Sequence, residues 1–178
     1  THGRSGVSKL MYGSVTVRVV KTVHTPIIVV PPGRGEAPES IVICYDFSGP
    51  SKRAAEVAAA IHSVVQGPLH LVHSYLDVWG EYTDHGAVVG DAAEKRREAL
   101  RMGLNEMLMK DAGELFPSDS DATEVHLVTG DPAESILAVA KDVGATLICA
   151  GTTGKSGIER LLIGSVARRL LHESTVPL

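Results

Sequence analysis

From residue 39 onward, short apolar runs alternate with longer stretches in which apolar residues recur every three or four positions. The run "SIVICYDF" (40–47) is continuous and β-branched at its start, the pattern of a strand buried on both faces. "SKRAAEVAAAIHSVVQ" (51–66) places Ala54, Val57, Ala58, Ile61, Val64 and Val65 on one helical stripe. "PLHLVHSYL" (68–76), introduced by Gly67, reads as a second strand. Residues 77–90 carry glycine at three positions and no clear period, and read as a loop or lid. "DAAEKRREALRMGLNEMLMKDAG" (91–113) predicts a long amphipathic helix with Leu100, Leu104, Met107 and Leu108 inward, and "TEVHLV" (123–128) a third strand. "DPAESILAVAKDVG" (131–144) has the punctuation of a helix. Asp131 can cap it, Pro132 suits its first position, Glu134 can complete a capping box, and Gly144 can end it. Ile136, Leu137, Ala140 and Val143 form its apolar stripe. "TLICA" (146–150) is a fourth strand, and a last helix spans roughly 160–173.

Strands alternating with helices predict a parallel sheet with helices on both faces. In such folds ligands bind beyond the carboxyl ends of the strands. That rule selects Asp46, Ser74 and Gly151, each at the end of a predicted strand.

The first residues repeat a later segment. "THGRSGVSKLMYGS" (1–14) aligns without a gap on "TTGKSGIERLLIGS" (152–165). Gly3, Ser5, Gly6, Leu10, Gly13 and Ser14 match Gly154, Ser156, Gly157, Leu161, Gly164 and Ser165, and each copy continues with valine. The first copy runs on into an apolar strand, "TPIIVVPP" (25–32), whereas the second reaches only "TVPL". The expectation is two related domains in tandem. Residues 1–34 are the tail of one, with a phosphate loop, last helix and last strand. Residues 35–178 are a second that lacks its last strand, so the chain as given is cut at both ends. The apolar run Ile27–Val30 is expected to cover a sheet edge or an interface.

"GTTGKS" invites a P-loop reading, but that motif requires glycine five residues before Gly154, where Cys149 stands. The first copy also has Arg4 in place of the lysine. What both copies retain is Gly-x9-Gly-Ser, complete in the second as Gly151-x2-Gly154-x9-Gly164-Ser165. Glycines let backbone N–H groups approach phosphate oxygens, and a helix opening at Gly164-Ser165 offers unsatisfied N–H groups to an anion.

Together, "VICYDFS", "LHLVHS", "VTGDPAESILAVAKDVGATLICAGTTG" and the Gly-Ser helix start resemble the universal stress protein family, in its ATP-binding branch. The resemblance implies a doubly wound α/β fold with a mostly parallel five-stranded sheet in the order 3-2-1-4-5. It implies that Asp46 lies beside the adenosine and that the main chain near Ser74 meets the adenine. It implies that Gly151, Gly154, Gly164, Ser165 and Val166 hold ribose and phosphates, with Mg²⁺ or Mn²⁺ accompanying the ATP. By the repeat, Gly3, Gly13 and Ser14 are half of a second site. Two departures stand out: Ala145-Thr146 replaces an aspartate common before the fourth strand, and Thr153 replaces a histidine common between the glycines. The resemblance further implies an ATP-dependent regulator in stress response, dimerising or pairing its tandem domains through the last-strand edge. A slow ATP-hydrolysing or phosphotransfer enzyme and a nucleotide-independent scaffold are the alternatives.

Composition narrows the partners. The chain has 178 residues, a net charge of −4 and 4% aromatics, which favours neither a nucleic-acid nor an acidic-membrane partner. No apolar run has membrane-spanning length, and two cysteines inside apolar runs suit a reducing cytoplasm. His70 and His73, three apart on a strand, face opposite ways and cannot chelate together. Lys95, Arg96, Arg97 and Arg101 read as a solvated helix face. Asp46 is a nucleotide contact before it is a general base, and no catalytic set or metal site is legible.

Overall fold

The computed structural model describes residues 14–23, 25–77, 91–119, 123–154 and 163–178. The elements in chain order are α1 (Ser14–Thr22), β1 (Ile41–Cys44), α2 (Gly49–Val65), β2 (Leu69–Tyr75), α3 (Asp91–Leu115), β3 (Thr123–Thr129), α4 (Pro132–Asp142), β4 (Leu147–Cys149) and α5 (Ser165–Glu173). The strands pair in parallel in the order β3-β2-β1-β4. The expected lid, apart from Asp77, lies outside the described residues.

The alternation of side chains along each strand divides the core into two layers. Ile41, Ile43, Leu69, Leu71 and Leu147 pack with Ala55 and Ala58 of α2, Leu108 and Ala112 of α3, and Phe116. Val42, Cys44, Val72 and Ile148 pack with Ala133, Ile136 and Ala140 of α4 and Leu170 of α5. Burial of each large aliphatic side chain contributes about 1.5–3 kcal/mol. The alanines on α2 and α4 keep helix and sheet close.

The Asp131 cap, the Pro132 start and the Gly144 stop are realised. Ser48 caps α2 by accepting from the Ser51 N–H, and Asp131 caps α4 by accepting from the Glu134 N–H at 2.9 Å. Gly144, at φ +62°, follows α4. Gly67 has a steric reason of its own: a Cβ there would stand 1.7 Å from the Glu39 carbonyl oxygen.

Two predicted stripes are rotated. On α2 the buried positions are Ser51, Ala55, Ala58 and His62, while Val64 is 82% exposed. Ala54, Val57 and Ile61 instead line an apolar groove of about 790 Å³, shared with Ile27, Val29, Ala167 and Leu171. On α3 only Leu108 of the expected four is fully buried; Leu100 and Met107 are exposed, and Ala112 completes the inner face. Apolar spacing marks a stripe, but which neighbouring stripe meets the sheet depends on how the helix is docked.

Among the described residues, the five-stranded expectation is corrected to a four-stranded sheet. Where a fifth strand would lie, the Ile148 N–H donates to the Pro177 carbonyl at 2.9 Å. Pro177 has no N–H to extend a ladder. Farther out, Val29 and Leu178 exchange two backbone bonds, Val29 N–H to Leu178 O at 2.7 Å and Leu178 N–H to Val29 O at 3.0 Å. Such a mutual exchange is an antiparallel pairing. The run 27–30 thus lies against the edge beyond β4, with Ile28 and Val30 facing outward and Ile27 and Val29 partly buried.

The sequence repeat also has a structural counterpart. α1 and α5 have nine residues each and start and stop at positions that the repeat equates. Val17 and Val20 of α1 pack against the cluster of Ile163, Ala167 and Leu171. Among the described residues, no helix is long and apolar enough to cross a membrane.

Candidate functional site

All strands run in one direction, so their carboxyl ends meet on one rim of the sheet. β1 ends into "YDFSGPS". Asp46 follows the strand, its Oδ1 accepts from the Ser48 N–H at 3.0 Å, and its own N–H donates to Ser51 Oγ at 3.3 Å. The turn is made by Phe47 at φ +64°, a sparsely populated conformation for a bulky residue. Its ring is held edge-on by Tyr45 and His73, at centroid distances of 5.3 and 4.7 Å. Those contacts offset the backbone strain and fix where Asp46 stands.

β2 ends at Ser74 and Tyr75. The Ser74 hydroxyl donates to the Gly130 carbonyl at 3.0 Å, and the Gly130 N–H donates to the Tyr75 carbonyl at 3.2 Å. The β3–α4 turn is thereby tied to the end of β2.

Beyond β4, the glycine segment folds against the β1–α2 turn. A Cβ on Gly151 would come within 2.9 Å of the Pro50 backbone, and one on Gly154 within 2.7 Å of Asp46 Oδ2. Backbone packing therefore demands glycine at 151, whereas a Cβ at 154 would displace the Asp46 carboxylate from its place at the rim. Gly164 differs. Its N–H is already engaged with the Thr152 carbonyl at 2.7 Å, while a Cβ there would meet nothing closer than 3.5 Å. Gly164 caps α5 without a side-chain bond, so Ser165, Val166 and Ala167 form a first turn whose N–H groups have no intrahelical acceptor.

These parts enclose a cavity of about 230 Å³. Asp46, Ser74, Gly151, Gly154, Gly164, Ser165 and Val166, selected from the sequence, all line it. Sequence reasoning passed over Ser51, His73, Pro132, Ile136 and Thr153, which line it too. Thr153 sits inside the glycine motif and Pro132 opens a helix at the same rim, so both were within reach of the strand-end rule. Ser51 and His73 were not, because their contribution depends on the packing of the β1–α2 turn. Gly3 and Gly13 lie outside the described residues, and Ser14 opens α1.

The walls are apolar and the donors are mostly backbone. Among the described residues lining the cavity there is no Lys or Arg. Burial pushes the Cys44 thiol well above its ordinary range, so it is a neutral wall and no nucleophile. His73 Nδ1 meets the Tyr45 carbonyl at 2.7 Å on the face opposite His70, as the strand parity requires.

A model of the universal stress protein family matches residues 38–178. The chain belongs to the universal stress protein family. It is 33% identical over 141 residues to the universal stress protein YxiE of Bacillus subtilis, with 77% of this chain and 94% of that protein covered. With a universal stress protein of Mycobacterium bovis it shares 28% over 181 residues, covering 98% of this chain but 57% of that longer protein. Among solved structures, a universal stress protein in complex with cAMP superposes with a TM-score of 0.56 at 21% identity, over 79% of this chain and 94% of that one. At that identity the likeness is one of fold.

Proposed function

We propose that this universal stress protein binds ATP in the cavity at the carboxyl rim and acts as a nucleotide-dependent regulator in stress response. The observation that carries the reading is the convergence of Asp46, Ser74, Gly151, Gly154, Gly164, Ser165 and Val166 on one cavity. The fit of the group can be judged from the donors. The first turn of α5 opens without a side-chain cap, which suits phosphate oxygens. The rim of β2 offers main-chain groups to a base, and Asp46 offers a carboxylate to the sugar. At about 230 Å³ the cavity is below the ~300–1,000 Å³ of common ligand pockets, so it would enclose only part of a nucleotide. Asp46 is its one lining carboxylate among the described residues, which suits a Mg²⁺ or Mn²⁺ carried by the phosphates with most of its own waters. The cAMP complex of a protein of this fold adds support for a nucleotide as the ligand class.

The same reading takes residues 1–34 as the end of a preceding related domain and the Val29–Leu178 exchange as the contact between last-strand edges. The near-complete match of this chain to part of a longer relative supports it. Such pairing could occur within a tandem protein or between copies, and cytoplasmic residence belongs to the same proposal.

Mass spectrometry of nucleotide co-purifying with the protein, followed by calorimetric titration with ATP and with cAMP in Mg²⁺, tests the assignment. Saturable one-to-one binding of ATP, tighter than that of cAMP, is expected. No heat with either ligand, and no ligand-dependent rise in melting temperature, would sink it.

A further inference from the structure

Strands β2 and β3 carry a second cluster with ligand chemistry. In the β2–β3 register His70 stands opposite Glu124, and Val72 opposite His126. Strand parity puts His70, Glu124 and His126 on the α4 side, with His70 and Glu124 second in their strands and His126 in the middle of β3. His70 Nδ1 lies 3.1 Å from His126 Nε2 and 3.4 Å from Glu124 Oε2, and His126 Nε2 lies 3.7 Å from the same Oε2. Three donor atoms from two strands thus form a small triangle. Among the described residues this is the one group of three or more such side chains that could hold an ion.

We propose that His70, Glu124 and His126 bind one divalent transition-metal ion, with zinc the best match, and that the ion pins edge strand β3 to β2. The first argument is metric. Ligand atoms about 2.05 Å from a tetrahedral zinc are separated by about 3.4 Å, and the three observed separations bracket that value. The second is chemical. Two imidazole nitrogens and one carboxylate oxygen suit zinc and its neighbours and disfavour Mg²⁺ or Ca²⁺, which take oxygen ligands. The third is the placement of the groups. His70 is 4% exposed and its Nε2 has no partner, so the polar engagement of this buried ring is at Nδ1, on the cluster. Glu124 is 67% exposed, which leaves the remaining coordination position to solvent and gives an ion a way in. Without metal the three atoms can share protons. With metal they become a covalent-strength cross-link between an edge strand and the sheet interior. None of the three residues lines the nucleotide cavity, and the proposal does not depend on that assignment.

The test is calorimetric titration of the full chain with zinc chloride in chelator-stripped, nucleotide-free buffer, with Co²⁺ substitution to read geometry from the visible spectrum. One ion per chain, a tetrahedral cobalt spectrum and a zinc-dependent rise in melting temperature are expected. His126→Ala and Glu124→Gln should each weaken zinc binding at least about tenfold, since even loss of an outer-shell partner costs about that much. Glu124→Gln alters an exposed side chain, so it carries the test should His126→Ala not fold. ATP binding should be the same in both variants. Absence of one-to-one zinc binding, or one-to-one binding that neither variant weakens, would overturn the proposal.

Discussion

Gly164→Val separates the ligand-binding role of the glycine motif from its packing role. Gly164 sits at φ −62° and ψ 156°, a conformation open to valine. A Cβ there would meet the Thr152 carbonyl at 3.5 Å and Thr153 Cα at 3.7 Å, both ordinary contacts. The Gly164 N–H bond to Thr152 needs no glycine. Valine is a poor helix cap, but no side-chain cap bond is present to be lost, so the stability cost should be about 1 kcal/mol or less. The branched methyls would project beside the first turn of α5, at the rim of the cavity. If that turn holds phosphate, its oxygens are pushed out of hydrogen-bond range. Each bond to a charged group so lost is worth about 1.5–3 kcal/mol. Loss of one or two should weaken ATP binding by roughly 10- to 10,000-fold. Calorimetry with ATP and Mg²⁺ beside a thermal melt reads both quantities on one preparation. An affinity within about twofold of the parent, in a variant that melts normally, would refute the phosphate assignment at this helix start.

Gly67→Ala is the contrasting case: its Cβ would stand 1.7 Å from the Glu39 carbonyl oxygen, so the α2–β2 turn must move. A loss of about 3 kcal/mol or more is expected in urea melts, and near-parental stability would show that the turn yields cheaply. Burial pushes the Cys149 thiol up to about 12 from an ordinary 9.0, and the Cys44 thiol is also raised. Above pH 9.0 the unfolded chain loses thiol protons that the folded chain keeps, so stability should fall as pH rises toward 12, by up to about 1.4 kcal/mol per pH unit for each thiol. Urea melts at pH 8 and pH 10 check the sign, and Cys44→Ala/Cys149→Ala should flatten that part of the dependence. The backbone exchange between Val29 and Leu178 should protect both amides from hydrogen exchange. Exchange at Val29 as fast as in a free peptide would show that the segment does not hold the edge in solution.

The sequence by itself determined what depends on near neighbours along the chain. Asp131-Pro132 and Gly144 bracket a helix because caps, ring constraint and left-handed backbone are local chemistry. The glycine motif and the strand-end rule gathered six residues that line one cavity, to which the family resemblance added Val166, because parallel strands deliver their carboxyl ends to one rim whatever the details of packing. The repeat foretold two helices with matching bounds. Tertiary structure decided what depends on the neighbour across. The stripe through Ala54, Val57 and Ile61 was legible, but only docking shows that it lines a groove while Ala55 and Ala58 meet the sheet. Asp46 and Gly154 come together through a close approach that no spacing encodes. The number of strands turned on a backbone bond to Pro177, and the pairing of Val29 with Leu178 on contacts between distant residues. His70 read alone had no chelating partner in His73 on its own strand. Its meeting with Glu124 and His126 follows from the register of β2 on β3, which is set by the packing of both strands beneath the helices.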